Sequence, residues 1–211
     1  LLNFCTIDLS AFYFDIRKDS LYCDSIKSIK RKSVSTTLHV LFEFLTKWLS
    51  PVISFTAEEA WSSRKYDNKN SILIETIKSN DFSYNENLLE EKFNELKRVR
   101  KSVTASLELK RNEKVIGSSL QASVKLYLST NTQKILKNIN LAEMCIVSCV
   151  EVEDISNKTK ESLNFDGEDI YVEISLAKGD KCNRCWTILP EVKDDPNNLC
   201  KRCNDVWQTF Q

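Results

Sequence analysis

Four cysteines near the C-terminal end of the chain have the spacing of a metal site. They form two C-x2-C pairs, Cys182 with Cys185 and Cys200 with Cys203, and 14 residues separate the pairs. Two intervening residues let both sulfur atoms of a pair point at one ion, and four thiolates complete a tetrahedral zinc shell. Because a catalytic zinc keeps one position open for water, this set predicts one structural zinc ion per chain.

Disulfides or free thiols are the alternative states of these four cysteines. Disulfide scaffolds are usually short and cysteine-dense throughout, whereas this 211-residue chain has eight cysteines, of which half are clustered in the two pairs. Clustering therefore favours metal binding. The remaining cysteines lie among apolar residues with no shared ligand spacing, and we expect small buried side chains at Cys5, Cys23, Cys145 and Cys149.

A two-zinc interaction module of the RING type is a further alternative. It would need eight interleaved ligands, and only four cysteines have suitable spacing. The only histidine, His39, lies far away in sequence on a predicted amphipathic helix, where we expect ordinary packing or surface exposure. The ligand count therefore favours one metal ion.

Cationic and aromatic residues lie between and beside the cysteines. Arg184, Lys201 and Arg202 can stabilise the negative charge of a four-thiolate centre, and Trp186 can fill the core of a very small module. The same side chains could instead form a basic rim for phosphate with a ring for an unstacked base. The residue types alone do not separate these two interpretations.

A second group of basic residues lies along a predicted helix. In the segment KFNELKRVRKS, Lys97, Arg98 and Lys101 lie away from the apolar stripe. Such a charged flank is most often a solvated helix face, and phosphate binding is the functional alternative. A further basic cluster, within residues 17–32, has the same two interpretations.

Composition restricts the class of protein. The chain has 30 basic and 30 acidic residues, so any binding to nucleic acid must use a local patch. It has 42% apolar residues, 3 glycines and 3 prolines, which favours helices with short connections. There is no apolar run of the roughly 18 residues that a membrane span needs, and no signal-peptide pattern. We expect a cytoplasmic protein that does not bind membranes.

Apolar periodicity predicts three helices in the first half of the chain. A long amphipathic helix spans residues 25–48, and a second runs from Pro51 to about Trp61. Thr56 and Glu59 have capping-box spacing, and Thr56 either caps this helix or lies within it. A polar loop, SSRKYDNKN, follows. A third long helix has its stripe between residues 89 and 107. These helices favour a bundle.

Alternating apolar residues predict strands elsewhere. We expect them at SILIETI (71–77), SVKLYLS (123–129), CIVSCVEV (145–152) and IYVEISLA (170–177), with a short helix at NTQKILKNI. The predicted fold class is α+β, mainly α: a helical bundle, a small α/β domain and a four-cysteine zinc finger. The predicted domains are 1–112, 113–178 and 179–211.

Four segments together carry a family resemblance. They are LSAFYFDIRKDSLYCD, LSPVISFTAEEAW, VRKSVTASLELKRNEKVIGSSLQASVKLY, and KCNRCWTILPEV with LCKRC. In this order they resemble bacterial-type isoleucyl-tRNA synthetases over nearly the whole chain. The second segment is similar to a helix shared by the synthetases for isoleucine, valine, leucine and methionine. The valine enzyme typically ends in a coiled coil, so the cysteine module favours isoleucine.

The resemblance implies an N-terminally truncated anticodon-binding domain, a junction domain, and a zinc domain that embraces the anticodon stem-loop of isoleucine tRNA. It also implies a monomeric, ATP-dependent parent ligase whose catalytic domain uses ATP and Mg²⁺. The HIGH and KMSKS signatures and the editing domain are missing from this chain. We therefore expect a C-terminal fragment with no catalytic residue, inactive by itself. It starts at Leu1, without a methionine.

The alternative family is the C-terminal part of a DNA-repair glycosylase. Formamidopyrimidine-type glycosylases have a related zinc finger. Their helix-two-turn-helix pattern and N-terminal proline nucleophile are not seen in this sequence. The order of the four segments favours the synthetase.

Overall fold

The structure is a computed structural model that describes residues 1–64, 70–76, 86–165 and 169–209. The chain divides into two compact units. The first unit comprises Leu1–Cys23 with Tyr84–Gln211, and the second comprises Asp24–Ser83.

Seven α-helices and six strands lie in the described ranges. The helices are α1 (Asp15–Cys23), α2 (Ile29–Leu49), α3 (Ser54–Ser62), α4 (Glu86–Asn112), α5 (Thr130–Ile135), α6 (Leu141–Cys145) and α7 (Lys201–Gln208). The strands are β1 (Ala122–Leu128), β2 (Cys149–Asp154), β3 (Leu163–Asn164), β4 (Ile170–Leu176), β5 (Asp180–Lys181) and β6 (Ile188–Leu189). A π-helical segment, Phe4–Phe14, precedes α1, and 3₁₀ turns cover Ile72–Ile74, Ser119–Gln121, Ile155–Asn157 and Pro190–Asp194.

The core of the first unit lies between α4 and a four-stranded sheet. The strand order is β2-β1-β4-β3, with β1 parallel to β2 and antiparallel to β4. A parallel neighbour requires a crossover, and α5 with α6 supplies it. One face of α4 contributes side chains at three- and four-residue steps, which are Leu96, Val99, Val103 and Leu107. Alternate residues of the strands cover the opposite side of this core, among them Val124, Leu126, Val172 and Ile174.

Helix α1 is tied to the same core by arginines. Arg17 of α1 donates to Glu143 of α6 at 2.7 Å. Arg100 of α4 donates to the carbonyl oxygen of Met144 and lies 3.6 Å from Asp15 of α1. These contacts hold α1 beside α4 and α6 although 62 residues of sequence lie between α1 and α4.

The second unit packs α2 and α3 around a small apolar cluster. Ala57, Trp61 and Ile72 are buried there, with Phe42 of α2 against them. The carboxylate of Glu58 accepts hydrogen bonds from the backbone nitrogen of Ile72 at 2.9 Å and from the adjacent Ser71 hydroxyl. These bonds fasten the 3₁₀ turn to α3.

The structure confirms the predicted fold class: a mainly helical chain with small sheets and a C-terminal four-cysteine cluster. The long helices are confirmed at α2 and α4, and strands are confirmed at β1 and β4, with the short helix α5 between β1 and β2. Among the described helices, no segment has both the length and the apolar character that a bilayer crossing requires. The domain boundaries at 112 and 178 stay a prediction, and α4 shares its core with the sheet that follows them.

Several local predictions were wrong. Helix α3 begins at Ser54 rather than Pro51, because the backbone nitrogen of Ile53 donates to Leu49 in a turn. Of the two positions left open for Thr56, the structure shows the one inside the helix. Residues 72–74 of the expected strand form a 3₁₀ turn, and residue 77 lies outside the described residues, as do residues 65–69 of the predicted polar loop.

The third predicted strand begins later than expected. Cys145 ends α6, and Ile146 adopts a left-handed conformation (φ 56°) before β2 starts at Cys149. Cys145 and Cys23 are buried as predicted, but Cys5 is only half-buried and Cys149 is exposed. Cys149 lies on the edge strand β2, where it pairs with Ser123 of β1. Its side chain is on the side of the sheet away from α4.

Replacing Leu96 by alanine should destabilise the first unit, because this side chain is 3% exposed in the core between α4 and the sheet. We expect the free energy of unfolding to fall by about 2 to 5 kcal/mol, measured by urea denaturation. Leu89→Ala, on the same helix but 41% exposed, is the matched control and should cost less than about 1 kcal/mol. Equal losses would contradict the packing of α4 on the sheet.

Candidate metal centre and its surface

The first cysteine pair lies in the hairpin formed by β5 and β6. The backbone nitrogen of Cys182 donates to the carbonyl of Thr187 at 2.9 Å, and that of Trp186 donates back to Cys182 at 3.0 Å. These bonds fold the two intervening residues into a tight turn. Both sulfur atoms of Cys182 and Cys185 therefore reach the same side of the hairpin.

The second pair lies at the start of α7. Cys200 directly precedes the helix, and Cys203 lies in its first turn. The Asp195 carboxylate orders the preceding loop, because it accepts from the backbone nitrogen of Leu199 at 3.0 Å and from the Asn204 side chain at 2.7 Å. A helix N-terminus favours negative charge, which suits thiolates at this position.

Tertiary folding brings the two pairs together. The four sulfur atoms all lie within 4.8 Å of one another, and the Cys185 and Cys200 sulfurs are 3.7 Å apart. A tetrahedral zinc with bonds of about 2.3 Å places its sulfurs about 3.8 Å apart. The backbone nitrogen of Cys200 also donates to the Cys182 sulfur at 3.4 Å. The donor set and its spacing fit a zinc ion.

Burial and contact between neighbouring thiols raise the pKa of Cys185 and Cys200. A hydrogen bond with Cys203, together with burial, raises the pKa of Cys185 to about 12. Burial is the main cause that raises the pKa of Cys200 to about 11. Four neighbouring thiolates repel one another, so they need a cation to exist together at neutral pH.

A fifth cysteine, which the spacing did not single out, lies against this cluster. Cys23, the last residue of α1, packs with Cys182, Cys200 and Cys203. Its thiol donates to the carbonyl of Arg184 at 3.8 Å, and a hydrogen bond with Cys203 lowers its pKa. Cys23 is separated from the four clustered cysteines by more than 150 residues, so no local pattern in the sequence could have identified it.

The structure places the two predicted rim arginines against α1. Arg184 donates from its two terminal nitrogens to the backbone carbonyls of Cys23 and Tyr22, both at 3.0 Å. Arg202 binds the Asp19 carboxylate with both terminal nitrogens, one of them at 2.8 Å. The pKa of Arg202 is raised, chiefly by this carboxylate. Both guanidinium groups are therefore held by protein oxygen atoms.

The other two predicted rim residues point to solvent. Trp186 is 59% exposed although its backbone is left-handed (φ 67°), a conformation that bulky residues rarely adopt. The Lys181 ammonium lies 5.1 Å from the centre of its ring. The Lys201 side chain is 84% exposed, with its ammonium 3.9 Å from Glu191. This part of the surface offers a ring and cations to a ligand.

The predicted basic helix flank is part of a different surface. Lys97 of α4 donates to Asp8 of the π-helical segment at 3.1 Å. Lys101, also exposed, lines a groove between that segment and α4. The apolar residues that line the groove include Ala11 and Phe12. The residues that line this groove are different from those that form hydrogen bonds around the cysteine cluster.

Comparison with known proteins adds the family. Residues 1–126 match the anticodon-binding domain of tRNA ligase. The chain belongs to this anticodon-binding family. Residues 179–206 match a zinc finger found in FPG and IleRS, and this range contains all four clustered cysteines. The match over residues 1–126 favours the synthetase over the glycosylase alternative.

Curated proteins similar to this chain include isoleucine–tRNA ligases. It is 38% identical over 208 residues to the ligase of Gluconobacter oxydans, which covers 98% of the chain and 21% of that protein. It is 40% identical to the ligase of Brucella abortus and 41% identical to that of Pelagibacter ubique, over 93% and 89% of the chain and 20% of each relative. The chain thus spans about a fifth of the length of these relatives. The resemblance to isoleucyl-tRNA synthetases is confirmed.

One glycine permits the hairpin of the zinc finger to close. Gly179 has φ +115°, and a Cβ atom there would lie 2.5 Å from the backbone nitrogen of Pro190 and overlap the carbonyl group of Leu189. Only glycine fits both this conformation and this close approach.

Gly179→Ala should therefore loosen the hairpin that carries Cys182 and Cys185. We expect a local loss of more than about 1 kcal/mol, measured by hydrogen exchange of the amides in residues 180–189. Gly117→Ala is the matched control, because a Cβ atom there would make only an ordinary contact of 3.4 Å with Gln121. Unchanged exchange in Gly179→Ala would contradict the close approach.

Proposed function

We propose that this chain is the tRNA-binding portion of an isoleucine–tRNA ligase and binds the anticodon stem-loop of isoleucine tRNA. The observation that carries this proposal is the identity of 38–41% to such ligases along 89–98% of the chain. Activation of isoleucine with ATP and Mg²⁺ is assigned to the rest of the ligase. A cytoplasmic location and a monomeric ligase remain predictions that go with this role.

The proposal includes one structural zinc ion held by Cys182, Cys185, Cys200 and Cys203. The sulfur spacing, the burial of three of the four cysteines and the hydrogen bond that the Cys200 backbone nitrogen donates to the Cys182 sulfur support this assignment. Beside the cysteines, the module has little apolar core, chiefly Val192 and Leu199. Zinc would neutralise the thiolates and hold the hairpin to α7.

Trp186 and Lys201 are the best-supported RNA contacts on the zinc finger. An exposed ring held in a left-handed conformation beside the Lys181 ammonium suits stacking on an unpaired base. Lys201, with its exposed ammonium, suits a phosphate. Lys97 and Lys101 remain candidates for phosphate contacts on the surface of α4.

The arginines of the predicted rim are a different case. Arg184 and Arg202 remain predicted RNA contacts, but their guanidinium groups are bound to α1. Contact with RNA would have to compete with these hydrogen bonds. Their present partners favour a role in stabilising the module.

Loss of one zinc ligand should remove the metal while the rest of the chain stays folded. Cys182→Ser should contain no zinc by elemental analysis after purification under reducing conditions, whereas the unsubstituted chain should contain one zinc ion per chain. The helical circular-dichroism signal should largely persist, because the core between α4 and the sheet contains none of the four cysteines of the cluster. Cys149→Ser, at an exposed cysteine on β2, is the control and should retain one zinc. A metal-free parent protein would contradict the assignment.

Stacking and phosphate contacts should be separable in RNA binding. Trp186→Ala should weaken binding of the isoleucine-tRNA anticodon stem-loop by about 1 to 3 kcal/mol without changing the salt dependence. Lys201→Ala should reduce the slope of log K against log salt by about 0.7. Fluorescence anisotropy across a salt series would measure both effects.

Two variants on the same module serve as matched controls. Trp207→Ala removes a ring that is 48% exposed on α7, and Lys193→Ala removes an exposed cation from the 3₁₀ turn Pro190–Asp194. Neither should change the affinity beyond about twofold. If all four variants retain zinc and keep the affinity and salt slope of the unsubstituted chain, the RNA contact surface lies elsewhere.

A further inference from the structure

Helix α1 contacts both halves of the cysteine module. Arg184 lies between the ligands of the first pair and donates to the carbonyls at the C-terminus of α1. Arg202 lies between the ligands of the second pair and binds Asp19 of the same helix. Asp19 and Cys23 are four residues apart, so they lie on one face of α1.

We infer that the zinc module docks on this face of α1 and that Asp19 is a positioning residue for the RNA-binding surface. The inference rests on the function proposed above. It assigns Arg184 and Arg202 to holding the module, whereas RNA is contacted by exposed groups such as Trp186.

Two separate attachment points fix an orientation that one could not. Arg184 belongs to the hairpin and Arg202 to α7, so each cysteine pair has its own hydrogen bonds to α1. The pair formed by Arg202 and Asp19 uses both terminal nitrogens and both carboxylate oxygens, a geometry that allows little rotation. The arginines of the module thus attach to α1 at positions that the metal ligands define.

Apolar contact reinforces the two attachment points. Cys23 is only 5% exposed, because it packs among the cysteines of the module together with Val192 and Leu199. It would become accessible if the module moved away from α1. Its protection is therefore a measure of docking that needs no RNA.

The electrostatic environment explains why docking and RNA binding use different cations. Helix C-termini carry partial negative charge, which favours the Arg184 guanidinium at the carbonyls of Tyr22 and Cys23. Arg184 and Arg202 each use two of the five N–H donors of a guanidinium on oxygen atoms of α1, and these bonds fix the group in place. Lys181 and Lys201 are exposed, and the Lys201 ammonium lies 3.9 Å from Glu191, which is beyond hydrogen-bonding distance.

A charge exchange between Asp19 and Arg202 tests the inference. The variants are Asp19→Arg, Arg202→Asp and the double variant, which has the same net charge as the parent. Both substitutions suit their helices, because aspartate is favourable in the first turn of α7 and arginine in the C-terminal half of α1. Lys193→Asp, which reverses an exposed charge on the same module, is the control.

Two readouts are measured on the full chain with its zinc content determined. The first is the alkylation rate of Cys23 by N-ethylmaleimide, followed by peptide mass spectrometry to separate it from the exposed cysteines. The second is the affinity for the isoleucine-tRNA anticodon stem-loop. Each single variant should accelerate alkylation and weaken RNA binding by about threefold to tenfold, and the double variant should restore both. Lys193→Asp should leave alkylation unchanged.

The outcomes separate this inference from the proposed function. Unchanged alkylation in both single variants would overturn the docking role of Asp19. If RNA binding falls in Arg202→Asp and the double variant does not restore it, Arg202 contacts RNA directly and the inference is wrong. If the parent chain binds no anticodon stem-loop, the proposed function fails together with the RNA part of the inference, while alkylation still decides whether α1 seats the module.

Discussion

The convergence of four cysteine sulfurs is the constraint on which the C-terminal part of this chain depends. They lie within 4.8 Å of one another in a module whose apolar core is very small. Four thiolates at this separation repel one another strongly, and four neutral thiols would gain little free energy from being brought together. A divalent cation makes the arrangement favourable. The tight turns, Gly179 and the Asp195 loop all serve to bring the sulfurs to one point.

Charge compensation around that point also explains the role of the arginines. A four-thiolate zinc centre has excess negative charge, and both C-x2-C turns place an arginine beside it. Arg184 and Arg202 have a second role, because they also donate hydrogen bonds to α1. The module is thereby anchored to the part of the chain that carries the anticodon-binding match, whereas Trp186 and Lys201 stay exposed.

Much of the fold could be predicted because its signals are local. The apolar period of α4 and the alternation of β1 and β4 follow from side chains within a few residues of one another. The predictions failed where a distant partner decides the conformation. At residues 72–74, the hydrogen bond that the Ile72 backbone nitrogen donates to Glu58 and packing against Trp61 favour a 3₁₀ turn over the strand that the alternation of SILIETI suggests.

The sequence by itself determined the metal-site candidates and the family, because ligand spacing and segment order are written along the chain. Only the tertiary structure decided which side chains surround the site. Cys23 and Asp19 reach it across more than 150 residues of sequence, and neither belongs to a spacing pattern that would reveal it. It also decided which basic residues are bound by protein and which face solvent, since an arginine reads the same in a sequence whether it meets a carboxylate or water.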